Sequence, residues 1–141
     1  MRRIAMVLGG KFPPDIRVEK EAMVLIDAGF EIYIFAFGKR IVDEYNKIKI
    51  YSCERTPFFP KRAVENMRFF AFHYHPKFAT FIRAGIEKLK PDAIHIHDIP
   101  FFKTAYLAGK LLNTKFVLDL HENYPAALLE YRKGKRGIEW F

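Results

Sequence analysis

Two groups of histidine and acidic residues carry the side chains best suited to chemistry. Imidazoles can hydrogen-bond sugar hydroxyls, support phosphate charge or bind metals, and carboxylates can orient imidazoles or join them as ligands. Each group closes an apolar, β-branched run of the kind that forms a buried strand, so we expect both groups at strand ends. The first group is His95, His97 and Asp98, and the second is Asp119, His121 and Glu122.

The alternation of side chains along a strand determines which of these residues can meet. His95 and His97 share one face of their strand, and Asp119 and His121 share one face of theirs. If the two strands are neighbours that end at the same level, His97 lies beside His121 and His95 lies beside Asp119. Adjacent strands are roughly 5 Å apart, so we expect these side chains to interact.

Three interpretations of the two groups stay open at this point. In the first, a buried neutral His95 pairs with Asp119, and Asp98 caps the next helix. In the second, the His-x-His spacing belongs to a metal site, but the further ligands of the usual metallohydrolase patterns are missing. In the third, a polar rim at the strand ends binds a hydroxylated substrate. The residues of that rim are His97, His121 and Glu122.

A glycine pair after the first apolar run is a further candidate site. Gly9 and Gly10 let a backbone approach a ligand closely, and their N–H groups can face a phosphate; a tight turn without a ligand is the alternative. The dinucleotide fingerprint needs a third glycine and an immediate helix, so the pattern argues against NAD binding. Asp15 can cap the next helix. Arg17 in its first turn opposes the helix dipole, which favours an anionic ligand, and an ordinary surface arginine is the alternative.

Apolar runs alternate with helical patterns along the chain, which predicts an α/β fold with a parallel sheet. We predict a doubly wound, Rossmann-like sheet with strand order 3-2-1-4-5 and helices on both faces. Ligands of such sheets bind beyond the carboxyl ends of the strands, at the switch between the first and fourth strands. The predicted strands are Ile4–Leu8, Glu31–Phe37, Ile48–Cys53, Ala93–His97 and Lys115–His121.

Helical patterns fill most of the remaining sequence. The stretch from Lys61 to about Leu89 is helical with a break near Pro76, and another helix runs from Pro100 to about Leu112. A last helix begins near Pro125, and the basic stretch 133–137 is a loop.

The segment 58–81 is rich in aromatic residues. Phe69 and Phe72 lie off its apolar stripe, beside Arg62 and Arg68. This mixture favours contact with an anionic membrane or another protein surface, and a wide buried face is the alternative. The stripe that one helix face can bury consists of Met67, Phe70, Tyr74, Phe78 and Phe81.

Length and composition limit the class of protein. A chain of 141 residues fits one domain, and its formal net charge of +8 calls for an acidic partner. The sequence shows no nucleic-acid motif, no apolar run long enough to span a bilayer and no signal peptide. The single cysteine, Cys53, favours a cytoplasmic location, and the lack of glutamine is typical of a thermophilic source.

Three stretches of the sequence resemble the family-four glycosyltransferases of the GT-B fold. The resemblance covers both ends of the chain and most strand-end loops, but not residues 39 to 90. The stretches are Phe12-Pro-Pro-Asp-Ile-Arg-Val-Glu-Lys-Glu-Ala with Ala28-Gly-Phe-Glu-Ile, then Pro91-Asp-Ala-Ile-His-Ile-His-Asp, and Val117-Leu-Asp-Leu-His-Glu-Asn-Tyr-Pro.

The resemblance implies an enzyme of two facing α/β domains. The acceptor, a glycan or a lipid-linked molecule, mostly contacts the N-terminal domain, and the nucleotide-sugar donor mostly contacts the C-terminal one. Transfer of a hexose-type sugar retains the anomeric configuration and uses no cofactor and no bound metal. A peripheral position at the inner face of the membrane, where lipid acceptors lie, is a further expectation.

The resemblance also implies roles for particular residues. Gly10 matches the first-loop glycine near the donor phosphates, and His121 matches the histidine that contacts the transferred sugar or its phosphate. His97 and Asp98 match positions on the acceptor side. The expected substrate-binding residues are therefore Gly9, Gly10, Asp15, Arg17, His97, Asp98 and Glu122, with His121 as the catalytic residue.

The diphosphate-binding basic pair and the glutamate pair of the family belong to a second domain that would follow this chain. We therefore expect residues 1–141 to be a single acceptor-side domain that is inactive alone. A stand-alone α/β binding module is one alternative function. A metal-dependent hydrolase that uses His95, His97 and Asp98 is another.

Overall fold

The computed structural model describes residues 2–38, 44–57, 59–97, 99–110 and 113–120. The helix predicted near Pro125 and the loop 133–137 lie outside these ranges. The strands are β1 (Arg2–Leu8), β2 (Phe30–Phe37), β3 (Glu44–Tyr45), β4 (Ile48–Cys53), β5 (Ala93–His97) and β6 (Lys115–Asp119). The helices are α1 (Ile16–Asp27), α2 (Lys61–Phe72), α3 (Pro76–Leu89) and α4 (Ile99–Lys110).

One six-stranded sheet organises the fold, with the order β3-β4-β2-β1-β5-β6. Five of its strands are parallel and follow the predicted order, because β4, β2, β1, β5 and β6 are the five predicted strands. The short strand β3 was not predicted, and it pairs antiparallel with β4. Asn46 and Lys47 join the two strands with φ values of 49° and 66°, as hairpin turns require. Two residues are too few to show a strand periodicity.

Helices cover both faces of the sheet, as the strand pattern predicted. On one face, Met6 and Ile34 of the sheet pack in the same buried cluster as Val18 and Ala22 of α1. On the other face, the cluster joins residues of β1 and β2 to α3 and α4. Apolar residues on both faces explain why the strands read as continuous hydrophobic runs.

The long helical stretch divides where Pro76 predicted a break. Helix α2 ends at Phe72, followed by His73 with φ of 50°, and α3 starts at Pro76. His75 caps α3, because its Nδ1 accepts a hydrogen bond from Phe78 N at 3.2 Å. The backbone N–H of His75 donates to Thr104 Oγ1 at 3.0 Å, which ties the break to α4.

The buried His75 makes the stability of the fold depend on pH. Burial is the main reason that the pKa of His75 lies below its usual 6.5, although the nearby Glu65 carboxylate opposes the shift. The unfolded chain therefore binds this proton more tightly. The contribution of His75 to the free energy of unfolding is fully present above about pH 6.5 and decreases as the pH drops toward the folded-state pKa.

We expect His75→Asn to flatten this pH dependence, because asparagine can cap the helix but does not titrate. Urea unfolding between pH 7.5 and pH 5 measures the effect. His73→Asn at the neighbouring exposed position is the control and should keep the wild-type slope. An unchanged slope in His75→Asn would contradict the prediction.

Candidate functional site

The first loop leaves the sheet beside the end of β5. Leu8 pairs with His97 in the parallel register, so Gly9 and Gly10 follow β1 at the switch point of the sheet. The Gly10 carbonyl accepts a hydrogen bond from Phe37 N at 2.9 Å, which joins the loop to the end of β2. The predicted loop therefore stands where open α/β sheets bind ligands.

The two glycines have different structural roles. A Cβ atom on Gly9 would collide with the ring of Phe101, so this position must be glycine for α4 to pack against the loop. A Cβ atom on Gly10 would meet nothing within 4 Å. Gly10 is exposed, and its backbone is open to an approaching molecule.

We expect Gly9→Ala to destabilise the domain by about 1–3 kcal/mol, because Phe101 must move from its packed position. Gly10→Ala should change stability by no more than about 0.5 kcal/mol, since its methyl group meets open space. Chemical denaturation of both variants makes this comparison. Equal stability of the two variants would contradict the distinction.

Asp15 and Arg17 lie at the start of α1. The Asp15 carboxylate accepts hydrogen bonds from Arg17 N at 3.2 Å and Val18 N at 3.3 Å, so the predicted helix cap is confirmed. Arg17 Nε lies 3.9 Å from Asp15 Oδ1, and the guanidinium is more than half exposed. Capping accounts for Asp15, while Arg17 presents a cation to solvent near the first loop.

The strand-end groups meet in a different register from the one expected. His97 pairs with Asp119, and His95 pairs with Val117. The expected pairing of His95 with Asp119 was therefore wrong by two residues. The register between two neighbouring strands depends on tertiary packing. It cannot be deduced from the alternation of side chains along each strand. The faces were predicted correctly, because residues two apart stay on one side.

A third element, α1, brings an acid into this group. Glu21 of α1 places its Oε2 atom 3.8 Å from Nδ1 of His97, and Asp119 Oδ2 lies 3.7 Å from the same nitrogen. The rings of His95 and His97 are 4.3 Å apart between centroids. We call Glu21, His95, His97 and Asp119 the strand-end cluster. Their ligand-type atoms all lie within 4.8 Å of one another, so the cluster could hold a metal ion.

Sequence reasoning missed Glu21, although a signal for it existed. Val18, Ala22 and Leu25 recur at helical spacing and face the sheet. Glu21 lies three residues after Val18 and four before Leu25, so it shares that face. A carboxylate on the apolar face of a helix is a reason to look for a partner.

The predicted site residues differ in their exposure to solvent. His97 is only 2% exposed, so in this structure it contacts the cluster and not bulk water. Gly10 and Arg17 are exposed, and Gly9 is half-buried. Asp98, His121 and Glu122 lie outside the described residues, so their predicted roles stay predictions.

Helix α2 presents an apolar and basic surface to solvent. Met67 is 65% exposed and Phe72 is 62% exposed, with the exposed Arg62 and Arg68 on the same helix. Only part of α2 packs inward, where Phe69 stacks on Phe101 at 4.7 Å. The predicted burial of Met67 was wrong, because the break at residues 73–75 interrupts the stripe that continues into Phe78.

The fold and the position of the glycine loop define a class of protein. A sheet of this order, with a glycine loop and polar side chains at its switch point, is a Rossmann-like domain. The sequence profile of Glycosyltransferase Family 4 matches residues 17–141. The chain belongs to this family and has the fold of the N-terminal domain of GT-B glycosyltransferases.

Solved structures share this fold at low sequence identity. The sucrose-phosphate synthase of Thermosynechococcus elongatus superposes with a TM-score of 0.69 at 15% identity over 96% of this chain. MurG of Acinetobacter baumannii gives 0.61 at 15% identity over 92%, and a Rickettsia africae glycosyltransferase gives 0.57 at 22% identity over 92%. The chain spans 36%, 39% and 33% of these three proteins, respectively. None of the curated proteins matches the chain.

Proposed function

We propose that this chain is the acceptor-side half of a sugar-nucleotide-dependent glycosyltransferase. The enzyme transfers a hexose-type sugar to a glycan or lipid-linked acceptor and retains the anomeric configuration. The family match over residues 17–141 is the observation that carries the proposal. The position of Gly10 at the switch point of the sheet supports it, because ligands of such sheets bind there.

The proposed substrate contacts follow from the open first loop and from the family resemblance. The exposed backbone of Gly10 can approach the donor phosphates without steric conflict. Arg17 offers a cation near the same loop. His121 contacts the transferred sugar or its phosphate, while Asp98 and Glu122 contribute hydrogen bonds on the acceptor side. His97 is 2% exposed in this structure, and its predicted role on the acceptor side remains part of the proposal.

The donor-binding groups come from a second α/β domain. The chain spans about a third of the length of several similar solved enzymes, which supports a division of the site between two domains. We assign no step of the transfer to a metal ion. The isolated 141-residue chain therefore folds but does not transfer sugar.

A transfer assay tests this proposal. The purified chain and a longer protein that includes the downstream domain are incubated with radiolabelled UDP-, GDP- and ADP-hexoses and with glycan and lipid-linked acceptors. We expect product only from the longer protein. Transfer by the 141-residue chain alone would refute the divided site, and absence of transfer and of donor binding by the longer protein would refute the function.

We also propose that the exposed face of α2 contacts an anionic membrane surface at the cytoplasmic side. Its exposed side chains combine apolar Met67 and Phe72 with basic Arg62 and Arg68. Such a combination inserts shallowly and pairs with acidic headgroups. Within the described residues, no helix is long and apolar enough to cross a bilayer.

Liposome sedimentation separates membrane contact from general basicity. We expect more binding to vesicles with 30% phosphatidylglycerol than to pure phosphatidylcholine vesicles. The double variant Arg62→Glu/Arg68→Glu should lose this preference. Lys88→Glu/Lys90→Glu, which makes the same charge change at the far end of α3, should keep it. Equal binding to vesicles of both lipid compositions would contradict the proposal.

A further inference from the structure

We propose that the strand-end cluster of Glu21, His95, His97 and Asp119 binds one zinc-type divalent cation. The ion would join α1 to β5 and β6 and would have a structural role. This inference is independent of the proposed transfer reaction, because its ligands and its test require neither donor nor acceptor.

Two distances within the cluster are compatible with a metal ion between the atoms. Zinc binds imidazole nitrogen and carboxylate oxygen at about 2.0–2.1 Å, so tetrahedral ligand atoms stand roughly 3.3 Å apart. His97 Nδ1 lies 3.8 Å from Glu21 Oε2 and 3.7 Å from Asp119 Oδ2. Both separations exceed the usual hydrogen-bond range, which ends at about 3.2 Å. Side-chain rotations that move these atoms by less than about 1 Å would close the coordination shell.

The identity of the ligand atoms determines the class of ion. Two imidazoles and two carboxylates form a mixed nitrogen and oxygen set, which favours zinc and its transition-metal neighbours. Magnesium and calcium prefer shells made of oxygen alone. His95 and His97 come from one strand at positions two apart, so the pleat of β5 directs both rings to the face of the sheet that α1 covers.

Burial and charge support the same conclusion. His97 is 2% exposed, and its two ring nitrogens and Glu21 Oε2 are inaccessible to solvent. Two carboxylates at such a site bring two negative charges, which one divalent cation balances. Parallel pairing of β5 with β6 holds His97 opposite Asp119, so most of the shell is positioned by backbone hydrogen bonds before an ion arrives.

This inference departs from the expectation drawn from the sequence. The absence of a metal was expected because hydrogen bonds at the strand ends accounted for the histidines and because the family resemblance implied none. Glu21, which is 74 residues before His95 in the chain, adds a fourth ligand that only the packing of α1 reveals.

Calorimetric titration with zinc chloride tests the site directly. The chain is purified without a metal-affinity tag, treated with EDTA and dialysed. We expect saturable 1:1 binding with a dissociation constant of about 1 µM or lower, and magnesium should not compete. Glu21→Gln should weaken zinc binding at least tenfold. Glu19→Gln is the matched control on the same helix, where the side chain bonds Asn46, and it should bind as wild type does.

Cobalt provides a second readout that does not depend on one variant. Tetrahedral Co²⁺ in this site should give strong visible absorption, which Asp119→Asn should reduce. Circular dichroism verifies that each variant is folded. The proposal is overturned if the folded wild type shows no saturable zinc binding, or if Glu21→Gln and Asp119→Asn both bind zinc as tightly as wild type.

Discussion

Replacement of His121 by alanine should reduce turnover of the proposed two-domain enzyme about a hundredfold or more. The loss of one group that stabilises charge in a transition state has effects of this size. In the sequence His121 comes two residues after the end of β6, and ligands of this fold bind beyond the carboxyl ends of the strands. A neutral imidazole can bond a sugar hydroxyl, and a protonated one can support a developing phosphate charge. The measurement is kcat at saturating donor and acceptor.

The melting temperature distinguishes a chemical role of His121 from a structural one. We expect it to change little in His121→Ala, because a residue that contacts substrate contributes little to the core. Leu120→Ala, at the preceding exposed position, is the control and should keep wild-type turnover. If His121→Ala keeps its activity per folded molecule, the assignment of the catalytic residue is wrong.

Truncation of Phe78 should destabilise the domain by about 3–5 kcal/mol. Its side chain is fully buried and stacks on Phe37 with ring centroids 4.2 Å apart. It also makes edge contacts with Phe101, which packs against the first loop. Phe78→Ala would leave a cavity among these rings that the surrounding sheet and helices cannot close. Urea unfolding of the purified chain measures the change.

Phe72→Ala is the matched control for the Phe78 variant. Phe72 belongs to the same aromatic segment but is 62% exposed, so its removal should change stability by no more than about 0.5 kcal/mol. Similar losses in the two variants would contradict the division between a buried α3 face and an exposed α2 face. The stability of this variant also shows whether Phe72 of α2 can be replaced in membrane-binding experiments without unfolding the domain.

The sequence determined the architecture of the sheet because the relevant signals are local. Apolar runs of strand length, separated by helical patterns, were enough to predict five parallel strands in their correct order. Pro76 marked the break between α2 and α3, and Asp15 marked the start of α1. Proline and capping residues act on their own backbone neighbours, so their effects can be read without knowledge of the packing. The strand-end motifs likewise carried the family resemblance that the profile match confirmed.

Only the tertiary structure decided which distant side chains meet. The alternation of residues placed His95 and His97 on one face, but the level of β6 in the sheet set His97 and not His95 opposite Asp119. The packing of α1 brought Glu21 close to Nδ1 of His97. The packing of α4 left no room for a side chain at Gly9 but left Gly10 open. Register and helix position depend on the sum of many contacts across the core. No single stretch of sequence contains that sum, so the strand-end cluster became visible only in the folded chain.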